Sequence, residues 1–390
     1  MRAGVLVRTR AVSICSCLAL FGLAGCGAAA TSNSSITVSG TTLTVYASQP
    51  PGAAGGPAAT DMLDAEQLAL QQAGGRVGKF TVKLVKLHRA ELSDNARTAI
   101  QDPTAIAYLG ELQPGTSQIS VEILNQQGLL EISPADTGVY LTQATPAVSG
   151  SPTRFYPTRS TYQQTFARVV PNSGFEAKAQ VQEMRSLGVS KLYVASDGQF
   201  YGAAIALEVR QDAQKAGISL ASGVAGADGV FYGGSPGSAA SKAIDQAVAA
   251  NPSMKVFVPS GLYDDAFVAG LSSAAQQNLY ASSPGFLARD LNPLGQKFVS
   301  DFTSAYGHQP VPRAIFGYEA MSGLLAVLGK AGSAAGNRAL VVSDFRTLKD
   351  RSSAIGTYSI TGGDPSLAPF IFARPKAGAL VPFKFLQTAA

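Results

Sequence analysis

AIAYLGELQPGTSQISVEILNQQGLLEIS, residues 105–133, contains two short apolar runs separated by a helical segment. The first run ends at Gly110 and the second begins at Leu129, and both are typical of buried strands. The segment between them has apolar residues at helical spacing and is long enough for a crossover helix. This order predicts a βαβ unit, whose two strands lie parallel in one sheet.

The same alternation of apolar runs and helical segments extends along the chain in both directions. A Pro/Thr-rich connection, residues 144–161, interrupts it, and it starts again near Phe166. Repeated βαβ units predict parallel sheets with helices on both faces. The restart predicts two sheets, and we therefore expect an α/β fold with two Rossmann-like lobes. Strands are predicted at 42–48, 79–87, 105–110, 129–133, 191–196, 218–224, 229–234, 254–260, 278–283, 355–360, 368–373 and 381–386.

One interval does not fit this pattern. Only residues 225–228 separate the run 218–224 from the run 229–234, too few for a crossover helix. Either the first run is not a parallel strand or the second sheet is locally rearranged. The sequence leaves both alternatives open.

The N-terminus has the layout of an export signal. Arginines precede an apolar run, residues 11–23, which is too short to span a bilayer. The run leads into LAGC, residues 23–26, which resembles the lipobox of bacterial lipoproteins. The resemblance implies removal of residues 1–25, lipid on Cys26 and a flexible tether over residues 26–40. An ordinary secretory signal with an incidental Cys26 is the alternative.

Composition limits the partners and cofactors. Removing the three arginines of residues 1–25 lowers the formal net charge from +5 to +2, and no basic run remains. Nucleic acid is therefore not an expected partner. The exported chain would keep only Cys26, so neither a disulfide nor a cysteine metal site is expected. No P-loop or dinucleotide fingerprint is found, and we expect no cofactor and no metal.

Five segments fall in the order found in one protein family: LALQQAGGRVGKFTVKLV, AYLGELQPGTSQISVEILNQQGLLEISPADT, YVASDGQFYG, DGVFYGG and AIFGYEAM. Over roughly residues 42–388 the chain resembles the leucine/isoleucine/valine-binding family of ABC transporter solute-binding proteins. Residues 110–137 are the most specific part. The resemblance implies a type I periplasmic binding fold, in which two hinged lobes close on a small-molecule ligand. It also implies ABC permease partners and no catalytic activity.

The family holds the ligand's carboxylate in a small polar loop after a strand, and this loop has a clear match. Hydroxyl groups beside free N–H groups at a helix start make an anion site. The same residue types also cap helices, and the two roles can coexist. The resemblance implies ligand binding by the matching loop and by the SPAxT-type segment that follows the next strand: Gly115, Thr116, Ser117, Ala135, Asp136 and Thr137.

The aromatic walls of the family's cleft match Tyr201 and Tyr318, although either could pack in the core instead. Ser235 and Ser260 mark departures from the family pattern. Amino-acid binders carry a Tyr at the first position and, at the second, a Glu that holds the ligand's ammonium group. Asp136 either compensates for the lost charge or faces solvent. The resemblance therefore supports the type of protein better than an α-amino acid as its ligand.

Residues 233–237, GGSPG, also satisfy the G-x-S-x-G pattern of serine hydrolases. A later Asp and His308 would complete the required order. Pro236 argues against this reading, because an oxyanion hole needs the backbone N–H of the residue after the nucleophile. We read GGSPG as a strand-to-helix turn beside the cleft, with Ser235 available to a ligand.

These observations predict a lobe of residues 41–165 with 287–345 and a second lobe of residues 166–286 with 346–390. The expected protein is a monomeric lipoprotein, anchored through Cys26 on the extracytoplasmic face of the cell membrane. It would bind a branched-chain amino acid-like, amide or carboxylate solute for an ABC importer. A ligand-sensing or envelope-scaffold lipoprotein of the same fold is the alternative, and a serine hydrolase is a third.

Overall fold

The first sheet has six strands. The computed structural model describes residues 35–49 and 56–388. The strands are β1 (Thr42–Ser48), β2 (Arg76–Val77), β3 (Phe80–Leu87), β4 (Ala105–Leu109), β5 (Leu130–Ser133) and β6 (Phe166–Arg168). Their order is β2-β3-β1-β4-β5-β6. All neighbours pair in parallel except β2 and β3.

The stretch 105–133 forms the predicted βαβ unit. Its two strands, β4 and β5, pair in parallel, with Ala107 opposite Leu130. Both strands are buried along their whole length, as expected when helices cover both faces of a parallel sheet. The first helices of this lobe are α1 (Gly56–Gln72), α2 (Leu92–Gln101) and α3 (Ser117–Asn125).

The second sheet repeats this arrangement. Its first five strands are β7 (Lys191–Ser196), β8 (Ser219–Leu220), β9 (Gly229–Gly233), β10 (Lys255–Val258) and β11 (Leu279–Pro284). The neighbouring pairs among them are parallel. The helices of this part of the chain are α4 (Arg159–Tyr162), α5 (Ser173–Ser186), α6 (Phe200–Lys215), α7 (Ser238–Ala250), α8 (Asp265–Ala269) and α9 (Ser273–Asn278).

The C-terminal part of the chain serves both lobes. It contains α10 (Pro293–Tyr306), α11 (Ala314–Ala331), α12 (Arg338–Arg346), β12 (Arg351–Ser353), β13 (Gly356–Tyr358), β14 (Ile360–Thr361), β15 (Asp364–Pro365), β16 (Pro369–Lys376) and β17 (Ala379–Gln387). The last two strands extend the second sheet antiparallel to β11 and to each other, giving the order β17-β16-β11-β10-β9-β7-β8.

The sheets divide the chain differently from the sequence prediction at two places. Phe166–Arg168 pairs with β5 in the first sheet, although the prediction starts the second lobe at Phe166. Ala354, Ile355 and Tyr358 are buried in the core of the first lobe, although the prediction assigns 346–390 to the second. These side chains follow α10–α12, which already pack on the first sheet, and only β16 and β17 reach the second sheet.

The interval that the sequence left open contains a very short edge strand. β8 has only two residues and pairs with the outer side of β7, whereas β9 pairs with the other side. Because β8 is so short, residues 221–228 pass from one side of β7 to the other without a helix. The run 218–224 is therefore not a full parallel strand.

Part of the predicted tether is docked on the first lobe. Val38 is buried, and its N–H donates to the carbonyl of Gly336 over 2.8 Å. Thr37 forms an antiparallel bridge with Asn337. Cys26 and the predicted signal lie outside the described residues. In the part of the chain that the structure describes, no helix is long and apolar enough to cross a membrane.

Candidate functional site

Loops from both sheets meet at one place. The loops that follow β4 and β5 in the first sheet lie beside the loop that follows β10 and the first turn of α6 in the second. Ligands of open α/β sheets bind at these carboxyl ends of strands. The structure brings the following predicted residues together there: Gly115, Ser117, Asp136, Thr137, Tyr201 and Ser260.

The Asp136 carboxylate fills the start of α3. Its Oδ1 accepts from the N–H of Gly115 over 2.9 Å and from that of Gly138 over 2.8 Å. Its Oδ2 accepts from the N–H of Ser117 over 2.7 Å. The first N–H groups of a helix have no partner within the helix and attract negative charge. Asp136 is fully buried, so these donors are satisfied by the chain itself.

Arg168 fixes the turn that carries Asp136. Its guanidinium donates to the carbonyl of Asp136 over 2.8 Å and to that of Gly138 over 3.0 Å. Its Nε lies 2.8 Å from Oδ1 of Asp364. Arg168 is fully buried at the end of β6. The position of β6 in the first sheet is therefore what places this cation beneath the site.

Two further carboxyl groups lie buried beneath the site. Ser48 and Tyr108 both donate to Glu111 over 2.7 Å, and Ser120 donates to Glu131 over 2.9 Å. Burial raises the pKa of Glu111 to about 7. Burial, and then repulsion from Glu111, raises the pKa of Glu131 well above its usual range. This layer contributes a pH-dependent charge behind the loops.

The second lobe supplies a hydroxyl-rich wall. Ser260 donates to Glu176 through its N–H over 2.6 Å and through its hydroxyl over 2.7 Å. Burial raises the pKa of Glu176 to about 7. The Tyr201 hydroxyl lies 3.1 Å from Oγ of Ser260 and accepts from the N–H of Gly261 over 3.0 Å. A carboxyl group from α5 thus stands behind Ser260.

The two lobes touch directly at this wall. The hydroxyls of Thr137 and Ser260 are 3.4 Å apart, and both residues are buried. A Cβ added at Gly115 would lie only 2.7 Å from Cβ of Tyr201. Residue 115 has a φ of +80°, in the left-handed region that glycine adopts without strain. Glycine is therefore required here both by the backbone and by the closeness of Tyr201.

Close packing predicts a penalty for a methyl group at Gly261. The added Cβ would overlap the Tyr201 ring and lie 2.6 Å from the carbonyl oxygen of Gly234. Overpacking of this kind costs about 1–3 kcal/mol. We expect Gly261→Ala to lower the unfolding free energy by that amount in urea titrations. Gly223→Ala is the control, because a Cβ at Gly223 would meet nothing within 4 Å; equal losses in the two variants would contradict the packing described.

Tyr140 borders the same site. Its hydroxyl is buried and has no hydrogen-bond partner among the described residues. It lies 3.6 Å from the point that a Cβ at Gly115 would occupy. Burial, and then the nearby Asp136, raises the pKa of Tyr140 well above its usual range. The neutral hydroxyl is thus available to accept or donate one hydrogen bond at the site.

Three predicted residues have their side chains elsewhere. The Thr116 hydroxyl donates to a carbonyl of its own turn over 2.7 Å. Ala135 is part of the core of the first lobe. The Tyr318 ring packs against Phe298 with centroids 5.1 Å apart, and its hydroxyl donates to Gln72 over 2.6 Å. The structure therefore does not bring Tyr318 to the site, and it acts as a packing residue of the first lobe.

Ser235 lies in an exposed turn at the end of β9. Its N–H donates to Asp197 over 3.1 Å. His308 has other neighbours: its ring is 5.6 Å from Phe302, and its Nε2 is 3.8 Å from Asp61. The residues needed for a hydrolase are thus held in separate surroundings. Within residues 35–49 and 56–388, no group of three or more His, Cys, Asp or Glu could hold a metal ion.

The sequence analysis did not identify several residues that shape the site: Glu111, Glu131, Tyr140, Arg168 and Glu176. Glu176 lies in the first turn of α5, where the helix dipole favours acidic residues, so its type and position alone do not show that it is buried. Arg168 ends the short run Phe166–Arg168, and a cation within a strand-like run was the available signal.

Comparison with known proteins bears on the family of the chain. Residues 49–368 match the family model described as periplasmic binding protein. A comparison with curated proteins found no match.

Solved structures share the fold. The leucine-binding protein LivK of Thermotoga maritima superposes with a TM-score of 0.71 at 18% identity, covering 89% of this chain and 99% of that one. A solute-binding protein from R. palustris in complex with benzoate superposes with a TM-score of 0.66 at 19% identity, covering 90% of this chain and 98% of that one. LivJ of Streptococcus pneumoniae in complex with isoleucine superposes with a TM-score of 0.66 at 15% identity, covering 90% of this chain and 100% of that one.

The family match extends over most of the chain, and the superposed structures share its fold. The resemblance to leucine/isoleucine/valine-binding proteins and the two-lobed α/β fold are thereby confirmed. The chain belongs to the periplasmic binding protein family.

Proposed function

We propose that this protein is the extracytoplasmic solute-binding component of an ABC importer. It captures a small polar solute between its two lobes by hinge closure, and the closed form is what a membrane permease recognises. The observation that carries the proposal is the meeting of strand-end loops from both sheets at Thr137, Tyr201 and Ser260. A solute inserted between these hydroxyl groups would be enclosed by both lobes and would favour the closed form by its differential affinity.

The superposed structures support a small solute. One of them is a leucine-binding protein, and two others are complexes with benzoate and with isoleucine. Leucine, benzoate and isoleucine each combine an apolar body with polar groups. In this chain Gly115 and Ser117 from the first lobe, and Tyr201 and Ser260 from the second, would surround such a molecule, with Ser235 at the margin.

The proposal extends to the membrane. Lipid on Cys26, after removal of residues 1–25, would anchor a monomer on the extracytoplasmic face of the cell membrane, next to its permease. The LAGC sequence at residues 23–26 supports this. Metabolic labelling with a palmitate analogue tests it: we expect label in the exported protein and none in Cys26→Ser.

A thermal-shift screen tests the binding function. A ligand that binds only the folded protein raises its melting temperature by mass action. We expect a saturable rise with one chemical class among amino acids, amides, ureas and aliphatic or aromatic acids, confirmed by calorimetry. If no class binds, the direct Thr137–Ser260 contact would favour a scaffold or sensor whose lobes close without ligand.

A further inference from the structure

The anion site at the start of α3 is occupied by the protein itself. Three N–H groups, those of Gly115, Ser117 and Gly138, converge on the Asp136 carboxylate at 2.7–2.9 Å. Such a cluster at a helix start stabilises one negative charge. Here that charge is covalently part of the chain.

Asp136 is held in this position from behind. Arg168 donates to the backbone carbonyl of Asp136, and the backbone N–H of Asp136 donates to the Ser133 hydroxyl over 2.7 Å. None of Asp136 is exposed. A ligand carboxylate would have to displace this side chain or lie directly beside it. Like charges repel strongly where water is excluded, so both routes disfavour an anionic ligand.

The opposite lobe adds hydrogen-bond acceptors. Glu176 stands behind Ser260. On the first lobe, the buried guanidinium of Arg168 pairs with Asp364, and Arg313, at the start of α11, donates to the carbonyl of Tyr263 over 3.3 Å. The hydroxyls of Thr137, Tyr140 and Ser260 can accept hydrogen bonds from a ligand.

We propose that Asp136 is a built-in anion that excludes carboxylates from the site, so that the protein takes small neutral or cationic solutes with N–H or O–H donors, such as amides. The inference rests on the proposed binding function and narrows its ligand class. It makes Asp136 a specificity-determining residue.

The first test compares matched ligand pairs by calorimetry with the wild-type protein. The pairs are leucine with leucinamide, isovalerate with isovaleramide, and benzoate with benzamide. At least one amide is expected to bind about tenfold or more tightly than its carboxylate. Equal or tighter binding of the carboxylate member would overturn the inference and leave the proposed binding function intact.

The second test empties the anion site and does not depend on knowing the ligand. Asp136→Ala leaves the three N–H groups without an acceptor, and its melting temperature should fall by several degrees. Added acetate or formate should restore it in a saturable way, beyond the effect of sodium chloride at the same ionic strength. Asp136→Asn keeps the side-chain volume and should show no such rescue.

The outcomes separate the two proposals. One outcome is that acetate or formate restores the melting temperature of Asp136→Ala while the wild-type protein binds none of the six probes. This result would support the built-in anion and count against the binding function. If Asp136→Ala folds but acetate and formate do not raise its melting temperature, the inference is overturned. If Asp136→Ala does not fold, the matched pairs decide alone.

Discussion

Replacing Arg168 by leucine is expected to lower the unfolding free energy by about 3–5 kcal/mol, the usual cost of removing one partner of a buried charge network. Arg168 is fully buried and binds the carbonyls of Asp136 and Gly138, the Thr142 hydroxyl and the Asp364 carboxylate. Leucine fills part of the volume but leaves these acceptors without their donor. Urea unfolding monitored by circular dichroism measures the loss.

Two further variants sharpen this prediction. Arg168→Lys keeps the positive charge but cannot reproduce the planar fork of donors, so an intermediate loss is expected. Arg97→Leu is the matched control, because Arg97 is exposed and its pair with Asp94 lies on the surface. Surface pairs contribute about 0–1 kcal/mol. A loss for Arg168→Leu no larger than that for Arg97→Leu would refute the role given to Arg168.

Much of the fold could be predicted from the sequence because parallel strands are buried on both faces. Runs rich in apolar residues, such as 42–48 and 105–110, give the bounds of β1 and β4 to within one residue. Lobe membership could not be predicted in the same way. Phe166–Arg168 resembles the start of a new repeat, and only its pairing with β5 shows where it belongs.

The site was less predictable for physical reasons. Gly115 and Ser117 could be found from the loop pattern after β4, but the direction of the Asp136 side chain depends on the turn that Arg168 holds. Tyr318 lies on α11, which is buried on nearly all sides. A helix of this kind has no single apolar face, so spacing alone cannot tell a core tyrosine from one that lines a cleft.

The second large effect concerns Glu66 on α1. The residue is fully buried, and neither carboxyl oxygen has a hydrogen-bond partner among the described residues. Burial raises the pKa of Glu66 from 4.5 to about 8. An uncharged glutamine avoids the cost of burying a charge, so Glu66→Gln should be more stable than wild type near pH 8. The expected gain is a few kcal/mol, at about 1.4 kcal/mol per pKa unit.

The sign of the pH dependence follows from linkage. A carboxyl group whose folded pKa is raised binds its proton more tightly in the folded state. Its stabilising contribution is complete below the unfolded pKa of 4.5 and is lost as the pH rises towards about 8. The pKa values of Glu111 and Glu176 are raised to about 7 by burial, so their stabilising contributions are also lost as the pH rises, between about 4.5 and 7. These three groups should therefore make the wild-type protein less stable between about pH 5 and pH 8.

Urea titrations at several pH values isolate the part due to Glu66. The difference between Glu66→Gln and wild type should be small near pH 4.5 and should grow towards pH 8, because only the wild type must then bury a charge. Glu122→Gln is the control, since Glu122 is exposed on α3 and the same substitution there should leave the pH profile unchanged. Parallel curves for Glu66→Gln and wild type would mean that Glu66 finds a compensating partner in solution. The decline in stability would then come from other buried carboxyl groups, among them Glu111, Glu131 and Glu176.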